Sequence, residues 1–122
     1  MSEVRELTKE EITKLLSSGQ LSKEEEKFIL FIELENTRGS AAEHTERISV
    51  LEGDAELILL EHEVREGAPK TEYEKYAIIP KSVPTIISLK IQHWDINENE
   101  YEYYIIYVFN GEQWSSITTT SI

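Results

Sequence analysis

The chain has 122 residues, of which 24 are acidic and 12 are basic, so its formal net charge is −12. This length fits one domain with a substantial core. The acidic balance argues against a protein that follows nucleic-acid phosphates or docks on an anionic membrane, since both require a basic surface. Cysteine is absent, which excludes disulfide bonds, thiolate catalysis and Cys-ligated zinc or iron–sulfur centres.

Hydrophobic segments are short throughout the chain. The first residues, MSEVRELTKE, show no apolar run of the kind that a signal peptide needs. No apolar stretch approaches the ~20 residues of a membrane-spanning helix. We therefore expect a cytoplasmic protein that binds neither nucleic acid nor a membrane.

An amphipathic helix is predicted over residues 9–18. Thr8 and Glu11 have the spacing of a capping box, in which the hydroxyl and the carboxylate each accept a hydrogen bond from a backbone amide at the helix start. Apolar residues follow at helical spacing as far as Gly19, which can adopt the left-handed conformation that ends a helix.

From about residue 28 onward the chain has the pattern of short β-strands. Ile32 and Leu34 alternate with Glu33 and Glu35, a period of two with one solvated face. Further segments rich in Ile, Val, Tyr and Thr are Arg47–Leu51, Ala55–Val64, Tyr73–Ile79, Thr85–Asp95, Tyr101–Phe109 and Gln113–Thr120. Seven such strands separated by turn residues predict an all-β, mainly antiparallel sandwich or barrel.

Two segments carry motifs that lie about 26 residues apart, measured from Gly53 to Pro80. In the first, Gly39–Gly53, the glutamate Glu46 is followed seven residues later by the glycine that ends Val50-Leu51-Glu52-Gly53. The second is Ile79-Pro80-Lys81-Ser82-Val83-Pro84-Thr85. They resemble the two motifs of the cupin superfamily: a glycine, His-x-His, a glutamate and a glycine, then a proline and a metal-binding histidine. The resemblance covers roughly residues 30–109 and implies a jelly-roll barrel.

The chain departs from the cupin pattern at the metal ligands. Aligned on Glu46 and Gly53, it has Ser40 and Ala42 where the family has two histidines, and Thr85 stands in place of the third. A carboxylate with a hydroxyl binds a first-row metal weakly, because imidazole supplies most of the affinity. The resemblance thus implies the fold, whereas the residues argue against the family's metal-dependent oxygenase or isomerase chemistry.

A shifted set of ligands is the alternative. His44 has the same strand parity as Glu46, and His93 has the parity of the apolar residues in its own strand. Together, His44, Glu46 and His93 make a two-histidine, one-carboxylate set for a divalent metal such as Fe, Mn, Ni or Zn. The competing interpretation is that both histidines are surface or hydrogen-bonded structural residues.

Aromatic residues offer a second kind of candidate site. They alternate along one face of a C-terminal strand at Tyr101, Tyr103, Tyr107 and Phe109. With a tryptophan, tyrosines could line a barrel mouth that holds a small organic ligand. The alternative is that these rings fill the core and a dimer interface. For a ligand in the barrel interior, the predicted contact residues are Glu46, Thr85, Tyr103 and Trp94.

Three functional hypotheses of different classes follow. The leading one is a non-catalytic, cupin-like domain that has lost its metal ligands, needs no cofactor, and binds a small molecule or a protein. The second is a metal-dependent cupin enzyme that uses the shifted ligands. The third is an acidic inhibitor or adaptor that acts through its surface on a basic partner. We expect a homodimer, with residues 1–27 forming a helical extension of the β-domain 28–122 within one structural domain.

Overall fold

The computed structural model describes residues 24–122 together with residues 10, 13, 14, 17–19 and 22. Half of the predicted helix 9–18 and most of the predicted extension 1–27 lie outside the described residues, so this helix stays a prediction. The first described regular element is a short 3₁₀ turn at Glu25–Phe28. Ser22 precedes this turn and Glu25 is its first residue. The side chain of each accepts a hydrogen bond of 3.3 Å from the backbone N–H of the other, the pattern of a capping box. Among these residues we find no helix with the length and hydropathy needed to cross a membrane.

Seven β-strands account for most of the described chain. They are β1 (Leu30–Arg38), β2 (Ala42–Glu52), β3 (Ala55–Arg65), β4 (Lys70–Pro80), β5 (Thr85–Asp95), β6 (Glu100–Phe109) and β7 (Trp114–Thr119). They confirm the prediction of an all-β, antiparallel fold, and β5 has the predicted bounds. β2 begins at Ala42, earlier than the predicted start at Arg47. Its polar first half has no apolar alternation and is held by backbone pairing with β5.

All neighbouring strands are antiparallel in a single sheet with the order β3-β4-β1-β2-β5-β6-β7. Hairpins join β1 to β2, β3 to β4, β5 to β6 and β6 to β7, whereas β2–β3 and β4–β5 are crossing connections. β1 and β2 are in register only at Thr37↔His44 and Arg38↔Glu43, next to their hairpin. Beyond these pairs the sheet curls, so that the β1–β4 half packs against the β5–β6 half. The jelly roll implied by the cupin resemblance stays a prediction.

The main core lies between the two halves of the curled sheet. Its buried members are Leu30, Ile32, Leu34, Ile78, Ile87, Leu89, Ile91 and Tyr107. The intervening residues Phe31 of β1 and Ala77 and Ile79 of β4 point the other way and form a smaller cluster with Ile58 of β3. Within β1 and β4, only Leu30–Ile32 and Ala77–Ile79 are buried on both faces, and these two short segments are continuously apolar.

The two crossing connections pack against each other at a tight corner. Gly53 has φ of +79°, and a Cβ in its place would lie 2.3 Å from the carbonyl oxygen of Pro84. Thr85 is fully buried, and its hydroxyl lies 2.8 Å from the carbonyl oxygen of Ser82 and 3.1 Å from that of Asp54. Thr85 thus joins the two connections.

Candidate functional site

Two histidines meet where β2 and β5 run side by side. His44 and His93 are directly opposite in the β2–β5 register. Their Nδ1 atoms are 3.3 Å apart, and the ring planes are inclined by 59°. Since one imidazole nitrogen must donate the proton that the other accepts, this contact makes the tautomer of each ring depend on its neighbour.

A carboxylate faces the second nitrogen of each ring. Glu46 Oε2 lies 3.3 Å from His44 Nε2, and Asp95 Oδ2 lies 3.3 Å from His93 Nε2. The four side chains therefore form one chain of contacts in the order Glu46, His44, His93, Asp95. Every ring nitrogen of the two histidines faces a protein atom.

Glu46 holds the inner end of this chain of contacts, and only 2% of its surface is exposed. Its Oε1 accepts a hydrogen bond of 2.7 Å from the backbone N–H of Glu35, and its own N–H donates to Asn36 Oδ1 at 3.0 Å. These two bonds replace ladder bonds where β1 and β2 separate. A buried carboxylate is tolerated only with such partners, so Glu46 has a structural role at the bend of the sheet.

Asp95 holds the outer end and closes the turn between β5 and β6. Its Oδ1 accepts hydrogen bonds from the backbone N–H groups of Asn97 and Asn99, at 2.9 and 3.1 Å. Desolvation raises the pKa of the Asp95 carboxyl, but the hydrogen bonds from Asn99 and the other donors of the turn outweigh it. The pKa therefore lies below its ordinary value, and the carboxylate stays ionised beside His93.

Two tyrosines of β6 extend the site on the aromatic side. Tyr101 stacks on His93 with 4.8 Å between ring centroids and an angle of 11°. Tyr103 follows, 6.0 Å from Tyr101. Burial raises the pKa of the Tyr103 phenol, and the negative charges of Tyr101 and Glu46 raise it further. This phenol is therefore a neutral hydrogen-bonding group at physiological pH.

A groove of about 280 Å³ opens beside His93 and Tyr101. Trp94 lies in it with 44% of its surface exposed, and Tyr101 is exposed to 45%. In the strand register, Trp94 is directly opposite Glu43 on one side and Glu100 on the other. Residues paired in this way have Cβ atoms about 5 Å apart, so the indole is flanked by two carboxylates.

Two other cavities have a different chemistry. One of about 160 Å³ contains Lys75, whose ammonium already pairs with Glu33 at 3.3 Å and Glu61 at 2.9 Å. Another, of about 330 Å³, is lined by Arg38 and Lys70 as well as acidic residues. The described residues that line the Trp94 groove include no lysine or arginine. This groove therefore combines exposed aromatic rings with negatively charged side chains only.

The structure brings the predicted metal set into contact. Within it, however, His44 presents one nitrogen to His93 and the other to Glu46, so the donor atoms face one another. No group of three or more His, Asp or Glu side chains within the described part of the chain is arranged to hold a metal ion.

The four predicted ligand contacts do not share one cavity. Glu46 and Tyr103 lie at the inner end of the histidine contacts, and Trp94 lines the groove on the outer side of β5. Thr85 is at the opposite end of β5, about 30 Å away at the usual rise per strand residue.

Sequence reasoning missed Asp95, Glu43 and Glu100. Asp95 had a local signal, since it shares parity with His93 and begins the polar turn Asp95-Ile96-Asn97-Glu98-Asn99. The two glutamates have no such signal, because their position beside Trp94 depends on the register of three strands.

Comparison with protein-family models gives no match, and comparisons with curated proteins and with solved structures give none either.

Proposed function

We propose that this chain is a non-catalytic binding domain that takes a small organic cation in the groove beside Trp94. The observation that carries the proposal is the half-exposed indole with Glu43 and Glu100 directly opposite it on the neighbouring strands. The face of an indole attracts cations through its quadrupole, and adjacent carboxylates strengthen the attraction. Tyr101 also lines this groove, from the face of the sheet that carries His93.

The affinity of such a groove is modest. A cation over an exposed ring gains about 0.5–1 kcal/mol, and hydrogen bonds to charged groups contribute about 1.5–3 kcal/mol each. Part of this gain is lost to the entropy of association, and salt screens the exposed carboxylates. We therefore expect dissociation constants on the order of 0.1–1 mM for a primary alkylammonium ion. Tetramethylammonium, which has no N–H to donate, should bind more weakly through the ring and the carboxylate charges alone.

The histidine pair supports this groove as a positioning element. His93 stacks on Tyr101 and is fixed through its two nitrogens by His44 and Asp95. A general base needs a nitrogen that can reach the substrate. Here both nitrogens of His93 are engaged within the protein, which favours binding over acid–base catalysis.

Indole N–H resonances give a direct test, because the chain has two tryptophans. Tetramethylammonium should shift the Trp94 indole signal with saturation. The Trp114 signal should stay constant, because this indole lies away from the groove and its Nε1 donates a hydrogen bond of 2.7 Å to Phe28 O. Neutral tert-butyl alcohol is the probe of equal shape and should have no effect.

Matched variants separate charge from packing. Glu43→Gln and Glu100→Gln should each weaken tetramethylammonium binding several-fold, whereas Glu112→Gln, in the turn between β6 and β7, should leave it unchanged. Equal responses to the cation and to the neutral alcohol would contradict the proposal, as would a wild-type response in both groove variants.

The finer expectations from the sequence remain proposals. The cupin-like jelly roll is supported by the corner where the two motif segments meet, with Gly53 packed on Pro84. A metal-dependent activity would require His44 and His93 to turn their ring nitrogens from each other toward a common ion. A cytoplasmic location and a homodimer are likewise proposals.

A further inference from the structure

β7 ends the sheet, and among residues 24–122 no strand pairs with its outer edge. Residues 115–118 are all exposed, so both faces of the strand meet solvent. An edge strand presents backbone N–H and C=O groups along its open side, which makes it a template for a further strand.

The two edges of the sheet differ in charge. β3, at the other edge, carries Glu56, Glu61, Glu63 and Arg65, and a bulge lies between Leu59 and Glu61. Charges and bulges are the features by which proteins prevent an edge strand from pairing. Charged residues make up 30% of the chain, yet residues 113–122 contain none. One edge is therefore protected against strand addition and the other is not.

We propose that β7 pairs with β7 of a second copy of this chain, antiparallel, about a twofold axis near Ile117. Two identical antiparallel strands are self-complementary, as a closed twofold dimer requires. In this register Ile117 of one molecule lies opposite Ile117 of the second, and Ser116 of each molecule lies opposite Thr118 of the other. The two seven-stranded sheets then form one continuous sheet. Across the axis, isoleucine faces isoleucine and serine faces threonine, and such cross-strand pairs stabilise neighbouring strands.

Charge repulsion between two copies of this chain is weakest at this edge and disfavours contacts elsewhere. Two molecules of net charge −12 repel each other wherever acidic side chains meet. β7 pairs with residues 104–109 of β6, away from Glu100 and Glu102 at the other end of that strand. The uncharged edge therefore lets two copies approach without bringing carboxylates together.

An apolar patch next to β7 extends the contact beyond the strands. On the outer face of the sheet, Ile117 is 65% exposed and lies beside Ile106, with Val108 and Ile86 in the adjacent row. The dimer brings two such patches together across the axis. The area buried by one strand pair and this patch is at the low end of the range for stable interfaces. We therefore expect a dissociation constant of the dimer on the order of micromolar.

A single introduced cysteine tests the axis, because the chain has none of its own. Directly opposed strand residues have Cα atoms about 4.5–5.5 Å apart, within the range that a disulfide spans. Ile117→Cys should therefore form a crosslinked dimer of twice 14.2 kDa under mild oxidation. Leu59→Cys, a partly exposed position on β3, is the matched control and should stay uncrosslinked at the same concentration.

Sedimentation velocity tests the unmodified protein. The wild type should pass from monomer to dimer with rising concentration, and more readily in ~0.3 M than in ~0.02 M salt, because salt screens the repulsion. Ile117→Lys should abolish the dimer, whereas Leu59→Lys should keep it. A wild-type monomer at all concentrations would overturn the proposal, and so would a dimer that survives Ile117→Lys. Tetramethylammonium binding at Trp94 is independent of either result.

Discussion

His44 and His93 face each other across the β2–β5 ladder with their Nδ1 atoms 3.3 Å apart, and each turns its other nitrogen toward a carboxylate. Each ring therefore depends on the other for one of its two contacts. Removing either ring breaks the same central contact and leaves the other ring with one nitrogen lacking its partner. The site therefore acts as one unit that joins the bend of the sheet at Glu46 to the turn at Asp95.

A double-mutant cycle measures this interdependence. We expect His44→Ala and His93→Ala each to lower the free energy of unfolding by about 1–3 kcal/mol, because a partly buried ring nitrogen loses its partner. The double variant should cost less than the sum of the two by about 0.5–2 kcal/mol. Urea denaturation at constant pH gives all three values.

His62 provides the matched control for the cycle. It is partly exposed on β3, and its Nε2 lies 3.5 Å from Glu72 Oε2 in an exposed contact. His62→Ala should change the free energy of unfolding by no more than about 0.5 kcal/mol. Strict additivity of the two site variants would show that the contact between the rings carries no energy.

The strands were predictable because their sequences repeat a local physical signal. β5 combines inward apolar residues with β-branched neighbours and ends at a polar turn, so its bounds follow from the pattern alone. The first half of β2 lacks that signal. Its place in the sheet comes from pairing with β5, more than forty residues along the chain by sequence number.

The site was predictable only in part, for the same reason. Parity placed His44 and Glu46 on one face of a strand, but their contact with His93 depends on a register that parity does not contain. Thr85 illustrates the opposite case. Its place in a segment that resembles a cupin motif predicts a ligand contact, whereas the crossing connections bury its hydroxyl against the backbone at a corner. The order of the strands in the sheet decides which of these residues come into contact, and no local sequence pattern specifies that order.

The corner between the crossing connections predicts a large cost for Gly53→Ala. At φ of +79° an alanine is strained by about 1–2 kcal/mol, and its Cβ would also collide with the carbonyl oxygen of Pro84 at 2.3 Å. Backbone must shift at both connections to relieve this contact. We expect a loss of more than about 3 kcal/mol in urea denaturation.

Gly111→Ala is the matched control, because it has the strain without the collision. Its φ is +102°, and the nearest atom to an added Cβ is a methyl carbon of Val83 at 3.4 Å, an ordinary contact. This variant should lose only about 1–2 kcal/mol. Equal losses in the two variants would mean that the corner adjusts freely and that the packing of Gly53 on Pro84 is unimportant.

Stability at alkaline pH depends on Tyr76, a side chain packed against the main core. Burial raises its pKa, and the hydrogen bond that its hydroxyl donates to Glu74 at 2.8 Å raises it further, to about 12 from an ordinary 10.0. Between these pH values the unfolded chain releases a proton that the folded chain retains. The free energy of unfolding therefore falls as pH rises from about 10 to about 12.

Two variants assign this pH dependence to Tyr76. Tyr76→Phe removes the ionisable group, so its free energy of unfolding should fall less steeply above pH 10 than that of the wild type. Glu74→Gln keeps a hydrogen-bond acceptor but removes the charge, and should move the phenolate absorbance step at 295 nm to lower pH. The pKa of Tyr103 is raised as well, so the difference between variant and wild type is the informative quantity. Parallel curves for wild type and Tyr76→Phe would show that this phenol ionises as readily in the folded chain as in the unfolded one.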